Sequence, residues 1–442
     1  MSGVSRTIDR VEVIFDDPTL VANAGLIVPA TLMTRLGLES LIDATVRLGG
    51  RVGGALPGRK ILTLVATILA GGSHIDHADM LRAGATRRVL PFRVMAPSTL
   101  GTFLRSFTFG HVRQLDRVAG EALRRAWHLG AGPGDAAATI DLDSTICEVH
   151  GHKKQGAAYG YTRVLGYHPL LATRAETGEI LHARLRKGSS QRGAKRFVEE
   201  LIARARRAGA TGALVVRADS GFWSYALIDT LTRLTVGWSI TVNINPQVRA
   251  CIDGIDEQSW QAIDYPAGGH AAVAETAYVT GRGRDRRVLR LVVRRTRLVD
   301  PAQAALWPDW RHHAFITSLD TPAIEVDAFH RDHARVELAI RDLKEGAGLE
   351  HCPSGHFFAN AAWLAAAVIA HNLWRWTAEL GELRPDGQLT VARTLRTRVI
   401  ALPGRLVNHA GRWILRLPAR WPWAEQFLVA LTRLRALPPI PA

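Results

Sequence analysis

Between residues 138 and 244 the chain repeatedly changes its hydrophobic period, and this alternation restricts the possible folds more than any other feature of the sequence. The stretch 138–150 (ATIDLDSTICEVH) alternates apolar with polar residues and is rich in β-branched side chains, the pattern of a half-buried strand. Residues 166–173 and 178–186 read as two further strands. Residues 193–208 then take the period of a basic amphipathic helix. A buried strand ending in a polar turn follows at 213–222, a helix at 223–234, and a strand at 236–244. Three strands, a helix, a strand, a helix and a strand specify a mixed sheet flanked by helices.

That order is the layout of a ribonuclease-H-like core, and the rest of the chain is arranged around it. Residues 1–135 read as mainly helical after a short strand at Val11–Phe15, with a helix over 62–71 and another over 112–127. Between them, Ser98 is placed to N-cap a helix through Leu100, Phe103 and Leu104. Thr99, Thr102 and Arg105 would share one side of that helix, so a helix-turn-helix unit there could offer them to a major groove. A glycine-rich break at 130–135 closes the region. Residues 246–310 carry several short β-like pieces and read as an insertion, 310–319 as a strand returning to the core, and 327–346 and 356–379 as helices. The expected fold class is α/β. A ribonuclease-H-like mixed-sheet catalytic core (136–245 and 311–385) is interrupted by a β insertion (246–310), preceded by a helical N-terminal DNA-binding region (1–135) and followed by a basic tail (386–442).

The charge balance bounds the partners. The 442 residues carry 56 Lys and Arg against 40 Asp and Glu, a formal net charge of +16. A globular chain this basic meets a polyanion, and nucleic acid is the commonest. An acidic membrane surface would call for a basic amphipathic anchor or a lipidation motif, and neither is evident. The longest apolar run, Ala361–Ala370, is too short to span a bilayer and reads as a buried helix. Cys147, Cys251 and Cys352 are widely spaced, which excludes a disulfide framework and a zinc ribbon. With no apolar core near the N-terminus, the expected compartment is the cytoplasm, in association with the nucleoid.

Three segments place an acid where chemistry could use it. Asp141 and Asp143, two apart on a strand, project from one face. Asp219 ends the strand VVRA, the position where α/β folds build their sites. Glu337 lies on the helix expected over 327–346, where spacing puts His330, His333, Glu337, Arg341 and Lys344 on one face and turns Val336, Ile340 and Leu343 toward the core. Phosphodiester chemistry needs a nucleophile activated and the scissile phosphate neutralised, and two divalent ions about 3.5–4 Å apart do both. Magnesium takes hard oxygen ligands, so a few converging carboxylates suffice. Taken singly, each acid reads more readily as a turn residue or a solvated helix partner; it is their combination on a chain this basic that points to chemistry.

At these residues the sequence resembles the DDE transposases of bacterial insertion sequences, in the branch numbered thirteen-eighty of the Y-R-E-K superfamily. The likeness is carried by DLDST, by HKKQGAAYGYTRVLGYHPLLAT, by RADSGF, and by ELAIRDLKEG followed by HFFANAAWLAAAVIAHNLWRW, in that order. It implies that Asp143, Asp219 and Glu337 are catalytic and hold two Mg²⁺ ions, with Mn²⁺ able to substitute and Asp141 the alternate for Asp143. Lys344 matches the signature lysine and would bind a DNA phosphate. The signature tyrosine and arginine fall at His330 and His333, either of which could donate to phosphate, with Arg331, Arg335 and Arg341 as neighbouring cations. Trp260, in the insertion, matches an aromatic that stacks a flipped base. The resemblance further implies cut-and-paste transposition on double-stranded DNA, at the element's terminal inverted repeats and in target DNA, by a homodimer assembled on DNA. The tail arginines Arg405, Arg412, Arg416 and Arg420 could track DNA backbone or form a partner surface with Trp413, Trp421 and Trp423.

Overall fold

The computed structural model describes residues 11–151, 153–160, 163–188, 190, 193–265, 269–283, 286–297, 310–384 and 389–440. Its centre is a mixed sheet built from β2 (Ala138–Ser144), β6 (Leu170–Arg174), β7 (Ile180–Arg184), β8 (Leu214–Ala218), β9 (Gly237–Val242), β10 (Gln261–Ile263), β11 (His270–Thr280), β12 (Arg287–Arg297) and β13 (Arg311–Thr317), in the spatial order β10-β11-β12-β13-β9-β8-β2-β6-β7. The pairs β2–β8 and β8–β9 are parallel and the rest antiparallel. The expected strand at 166–173 is split. Its first part joins a separate three-stranded sheet of β3 (Cys147–Glu148), β4 (Ala158–Tyr159) and β5 (Leu165–Tyr167).

The segment read as an insertion supplies β10, β11 and β12, and these do not form a sheet of their own. β12 pairs with β13 over seven residues, and β13 pairs with β9, so the insertion lengthens the core sheet. The hydrophobic pattern gives each strand but not its neighbours, which explains the difference. The helix α10 (Ala323–Arg331) covers one face of this extension, where Val326 packs with Val273, Val292 and Phe315 in a small core.

The N-terminal region is helical, with α1 (Ile27–Arg35), α2 (Leu38–Thr45), α3 (Pro57–Leu69), α4 (Ala78–Arg82), α5 (Pro97–Arg105) and α6 (Phe109–Ala126). Val11–Phe15 is no strand. Its side chains are exposed, and β1 is instead Leu20–Val21, paired with the tail strand β14 (Gly404–His409), which pairs in turn with β15 (Arg412–Arg416). Nor is Ser98 an N-cap. Ala96 holds that position and Pro97 starts the helix, where its missing N–H costs nothing.

These helices pack around α12 (Phe357–Leu380), which meets α1, α3, α5 and α6. By length and composition α12 is the one described helix that could cross a membrane, yet 83% of its apolar window is buried inside the protein. It is a core helix. Asn372, buried on it, accepts from the Ile180 N–H (2.7 Å) and donates to the Ile180 carbonyl (2.8 Å), fastening the helical layer to the edge strand β7.

Candidate active site

The register of β2 against β8 brings two of the predicted acids together. Asp141 lies opposite Arg217, and Leu142 opposite Ala218. Side chains two apart share a face, so Asp143 and Asp219 follow as the next pair along the same face. The site therefore sits at the C-terminal edge of two parallel central strands, where the chain leaves the sheet and side chains face open space.

The third acid arrives on a broken helix. In place of one helix over 327–346, α10 ends at Arg331, a tight 3-10 turn covers Asp332–Ala334, α11 runs Arg335–Arg341, and a wide π turn covers Asp342–Gly346. The break lets α10 lie on the sheet extension while α11 packs over β2. Val336 and Ile340 face inward, as their spacing predicts, and Glu337 is exposed on the side of the two aspartates.

The electrostatics tie the three together. The Asp143 carboxyl is pushed up to about 6, first by burial, with the nearby carboxylates of Asp219 and Glu337 adding to the rise. The Ser144 N–H, 2.6 Å from the Asp143 carboxylate, and His333 act in the opposite direction. Asp219 is also raised by burial, against donation from the Gly221 N–H at 3.1 Å and the influence of His333 and His168. Half-buried carboxylates facing one another with too little positive charge between them are the chemistry of a hard cation site.

Asp141 is not part of that donor set. It is fully buried, and Arg217 grips both its oxygens, Nε to Oδ1 at 2.7 Å and Nη2 to Oδ2 at 2.9 Å, while His333 Nδ1 lies 2.9 Å from Oδ1. The alternate assignment to Asp141 is thereby removed. The same triad has a structural role. Arg217 also donates to the Phe329 carbonyl, and its guanidinium lies 4.7 Å from the Phe329 ring centre. Strand β2, strand β8 and the α10–α11 connection, which lead to the three candidate acids, are thus cross-linked.

The predicted cations fare unequally. His330 is overturned as a phosphate donor. It is buried, stacked on Phe315 at 4.1 Å, and its two nitrogens meet Ser239 Oγ (2.7 Å) and Thr241 Oγ1 (3.0 Å). Burial, reinforced by neighbouring cationic groups, drives its pKa down to about 2, so it is neutral. His333 is half-buried and engaged with Asp141. Arg331 pairs with Asp327 at 3.1 Å, whereas Arg335 and Arg341 are exposed. Lys344 is half-buried in a cavity of about 660 Å³ whose walls include Cys147, His150 and Lys154 from the segment that follows Asp143, and His351 and Cys352 from the segment that follows Lys344 itself.

Farther off, Thr102 spends its hydroxyl on the Ser98 carbonyl of its own helix (3.1 Å), Thr99 is half-buried and Arg105 exposed. Trp260 is half-buried beneath the Arg295 guanidinium at 4.3 Å, and Arg295 also covers Trp310 at 4.6 Å.

Sequence reasoning missed two residues. Arg217 was legible in principle, being a basic residue inside an apolar strand, two positions before an acid. His168 gave no signal. It is buried, its Nε2 is 2.9 Å from Ser144 Oγ, and its charge is felt at Asp219.

A second acidic cluster, Asp116, His182 and Glu200, has ligand atoms within 4.8 Å of one another. It is an ion-pair network. Arg113 and Arg204 bind Asp116 at 3.0 and 2.6 Å, and Arg113, Arg184 and Arg196 bind Glu200. Four guanidiniums already neutralise two carboxylates, so a cation there would be repelled.

No curated protein matches the chain. Among solved structures, the piggyBac transposase in a synaptic complex with hairpin DNA, seen by cryo-electron microscopy, is similar at 14% sequence identity and a TM-score of 0.45, over 87% of this chain and 79% of that one. The sequence profile of the family described as transposase DDE domain, group 1, matches residues 5–439. The chain therefore belongs to the transposase DDE domain family, group 1.

Proposed function

We propose that this protein is an active cut-and-paste DNA transposase of a bacterial insertion sequence, in the branch numbered thirteen-eighty, with a ribonuclease-H-like catalytic core and Asp143, Asp219 and Glu337 as its metal-holding acids. The observation that carries the reading is the approach of these acids from three separate elements: burial raises Asp143 to about 6, and the carboxylates of Asp219 and Glu337 add to the rise. Burying carboxylates side by side is unfavourable without a counter-cation, and the guanidinium beneath them, Arg217, is engaged on Asp141, while Arg331 is engaged on Asp327.

The residues fit two Mg²⁺ ions, which Mn²⁺ can replace. Such ions supply charge neutralisation at the scissile phosphate and activation of the attacking oxygen. Asp143 and Asp219 offer oxygens from adjacent strand ends and Glu337 from above. Lys344, Arg335 and Arg341 hold the DNA backbone on either side. Water cuts each element end and frees a 3′-hydroxyl. That hydroxyl then attacks a phosphodiester of the opposite strand or of target DNA, exchanging one phosphate ester for another with no nucleotide cofactor. Two copies act on two ends in the cytoplasm, with α5 and its neighbours engaging the terminal repeats and Trp260 receiving a displaced base.

The test is Mn²⁺-dependent cleavage of duplexes carrying the element ends, with wild type, Asp143→Asn, Asp219→Ala and Glu337→Gln. Each variant should lose at least a thousandfold in rate while still binding the duplex. Cleavage that survives Asp219→Ala would refute the assignment.

A further inference from the structure

Arginines without a carboxylate are gathered on one surface of the protein. The 3-10 turn Thr86–Val89 and the segment after it carry Arg87, Arg88 and Arg93, none of which takes an ion-pair partner among the described residues. With Arg82, which is paired to Asp79 at 2.6 Å, they line one cleft of about 350 Å³ that includes no acid. Arg88 extends over the ring of Trp413 at 5.1 Å, and that ring, on β15, is 57% exposed.

The surface is held in shape from both ends of the chain. The Ala85 N–H donates to the Leu20 carbonyl (2.8 Å), the Ala22 N–H donates to Thr86 Oγ1 (3.1 Å), and β1 pairs with β14. The register Leu406↔Leu415 and Asn408↔Trp413 sets Trp413 on the hairpin face shared with Leu406 and Leu415, opposite the face of Arg405, Arg412 and Arg416. Guanidiniums gathered without acids repel one another unless an external polyanion occupies the surface. Their forked donors suit phosphate oxygens, and an exposed ring beside them adds a flat contact.

We infer that Arg82, Arg87, Arg88 and Arg93, with Trp413, form a second DNA-binding surface that grips the phosphate backbone of duplex DNA without reading its sequence. It is separate from the elements that carry the acids. The inference rests on the transposase reading, since it assigns further substrate DNA to that enzyme.

The experiment measures binding of the full chain to a fluorescent 30-base-pair duplex of arbitrary sequence, in chelator, across a salt series. Removing three phosphate contacts should flatten the slope of log affinity against log salt by about 2.7. The variant Arg87→Gln/Arg88→Gln/Arg93→Gln should therefore bind at least tenfold more weakly at low salt, with an unchanged thermal transition. Arg59→Gln/Arg124→Gln/Arg233→Gln, which removes the same charge from paired arginines, should bind within twofold of wild type. Equal loss in both triple variants overturns the inference, as does a wild-type slope in the first. Anionic vesicles that compete with the duplex for the wild type but not for the first variant would assign the surface to lipid and also overturn it. Loss of cleavage in Asp219→Ala with full duplex binding shows the transposase reading standing whichever way the arginine variants fall. Absence of any duplex binding by wild type would sink both.

Discussion

The buried ion pair beneath the acids is the most exposed point in the proposal, and Arg217→Met tests it. The substitution keeps the aliphatic stem and removes the charge. Asp141 is fully buried and Arg217 nearly so, and both carboxylate oxygens rely on that guanidinium. Removing one partner of such a pair leaves an uncompensated buried charge and costs about 3–5 kcal/mol. For 442 residues the unfolding entropy is roughly 0.9 kcal/mol per kelvin, so the melting temperature should fall by about 3–5 °C. Calorimetry at pH 7 on wild type, Arg217→Met and Arg217→Met/Asp141→Asn reads this loss. The double variant should recover at least half of the loss, because two neutral partners leave no stranded charge. Mn²⁺ binding should weaken in Arg217→Met, since Phe329 and the turn leading to Glu337 lose their anchor. A single variant within about 1 kcal/mol of wild type at pH 7, or a double variant no better than the single, would refute the reasoning.

Two further outcomes follow from geometry. His330 and His313 are held neutral by burial, with pKa values driven to about 2 and about 4, so the unfolded chain binds protons below ~6.5 that the folded one refuses. Stability should fall with decreasing pH over that window by about 1.4 kcal/mol per unit for each histidine. His330→Phe keeps the stack on Phe315, loses the contacts to Ser239 and Thr241, and should make the decline from pH 6.5 to 4 shallower by that amount; an unchanged slope in urea titrations would count against it. Gly25→Ala would put a Cβ 1.6 Å from the Val399 carbonyl oxygen and 2.7 Å from Ile400 Cα, backbone atoms that cannot give way. A loss of at least about 3 kcal/mol is expected in the urea midpoint, and a midpoint near wild type would show that the junction of the two chain ends is looser than it stands here.

The alternating stretches at 138–144 and 214–218 could be read because a strand period of two is a local property. Their pairing, which sets Asp143 beside Asp219, needs only that both be central and parallel. Choosing between Asp141 and Asp143 was a different problem. It depends on Arg217, 76 residues away, and no local pattern announces a cross-strand partner. The helix expected over 327–346 failed for a related reason. Its 3.6-residue spacing is sound on each side, but packing α10 on the extended sheet and α11 on β2 demands a break, and tertiary contacts override period. His330 therefore turned inward although its spacing matched Glu337. Pairing of β1 with β14 is invisible in the sequence, since a two-residue strand whose partner lies nearly 400 residues away leaves no signal.

The continuity of the sheet has a mechanical consequence. The strands from 246–310 hang on β13, β13 on β9, and β9 on β8, at whose end Asp219 sits. A load on the outer strands, where Trp260 rests under Arg295, passes along one hydrogen-bonded ladder into the edge where Asp143 and Asp219 lie. Swinging that arm would mean shearing seven consecutive residue pairs between β12 and β13. Bent or unpaired DNA would thus have to conform to a stiff protein frame, with the deformation borne by the nucleic acid.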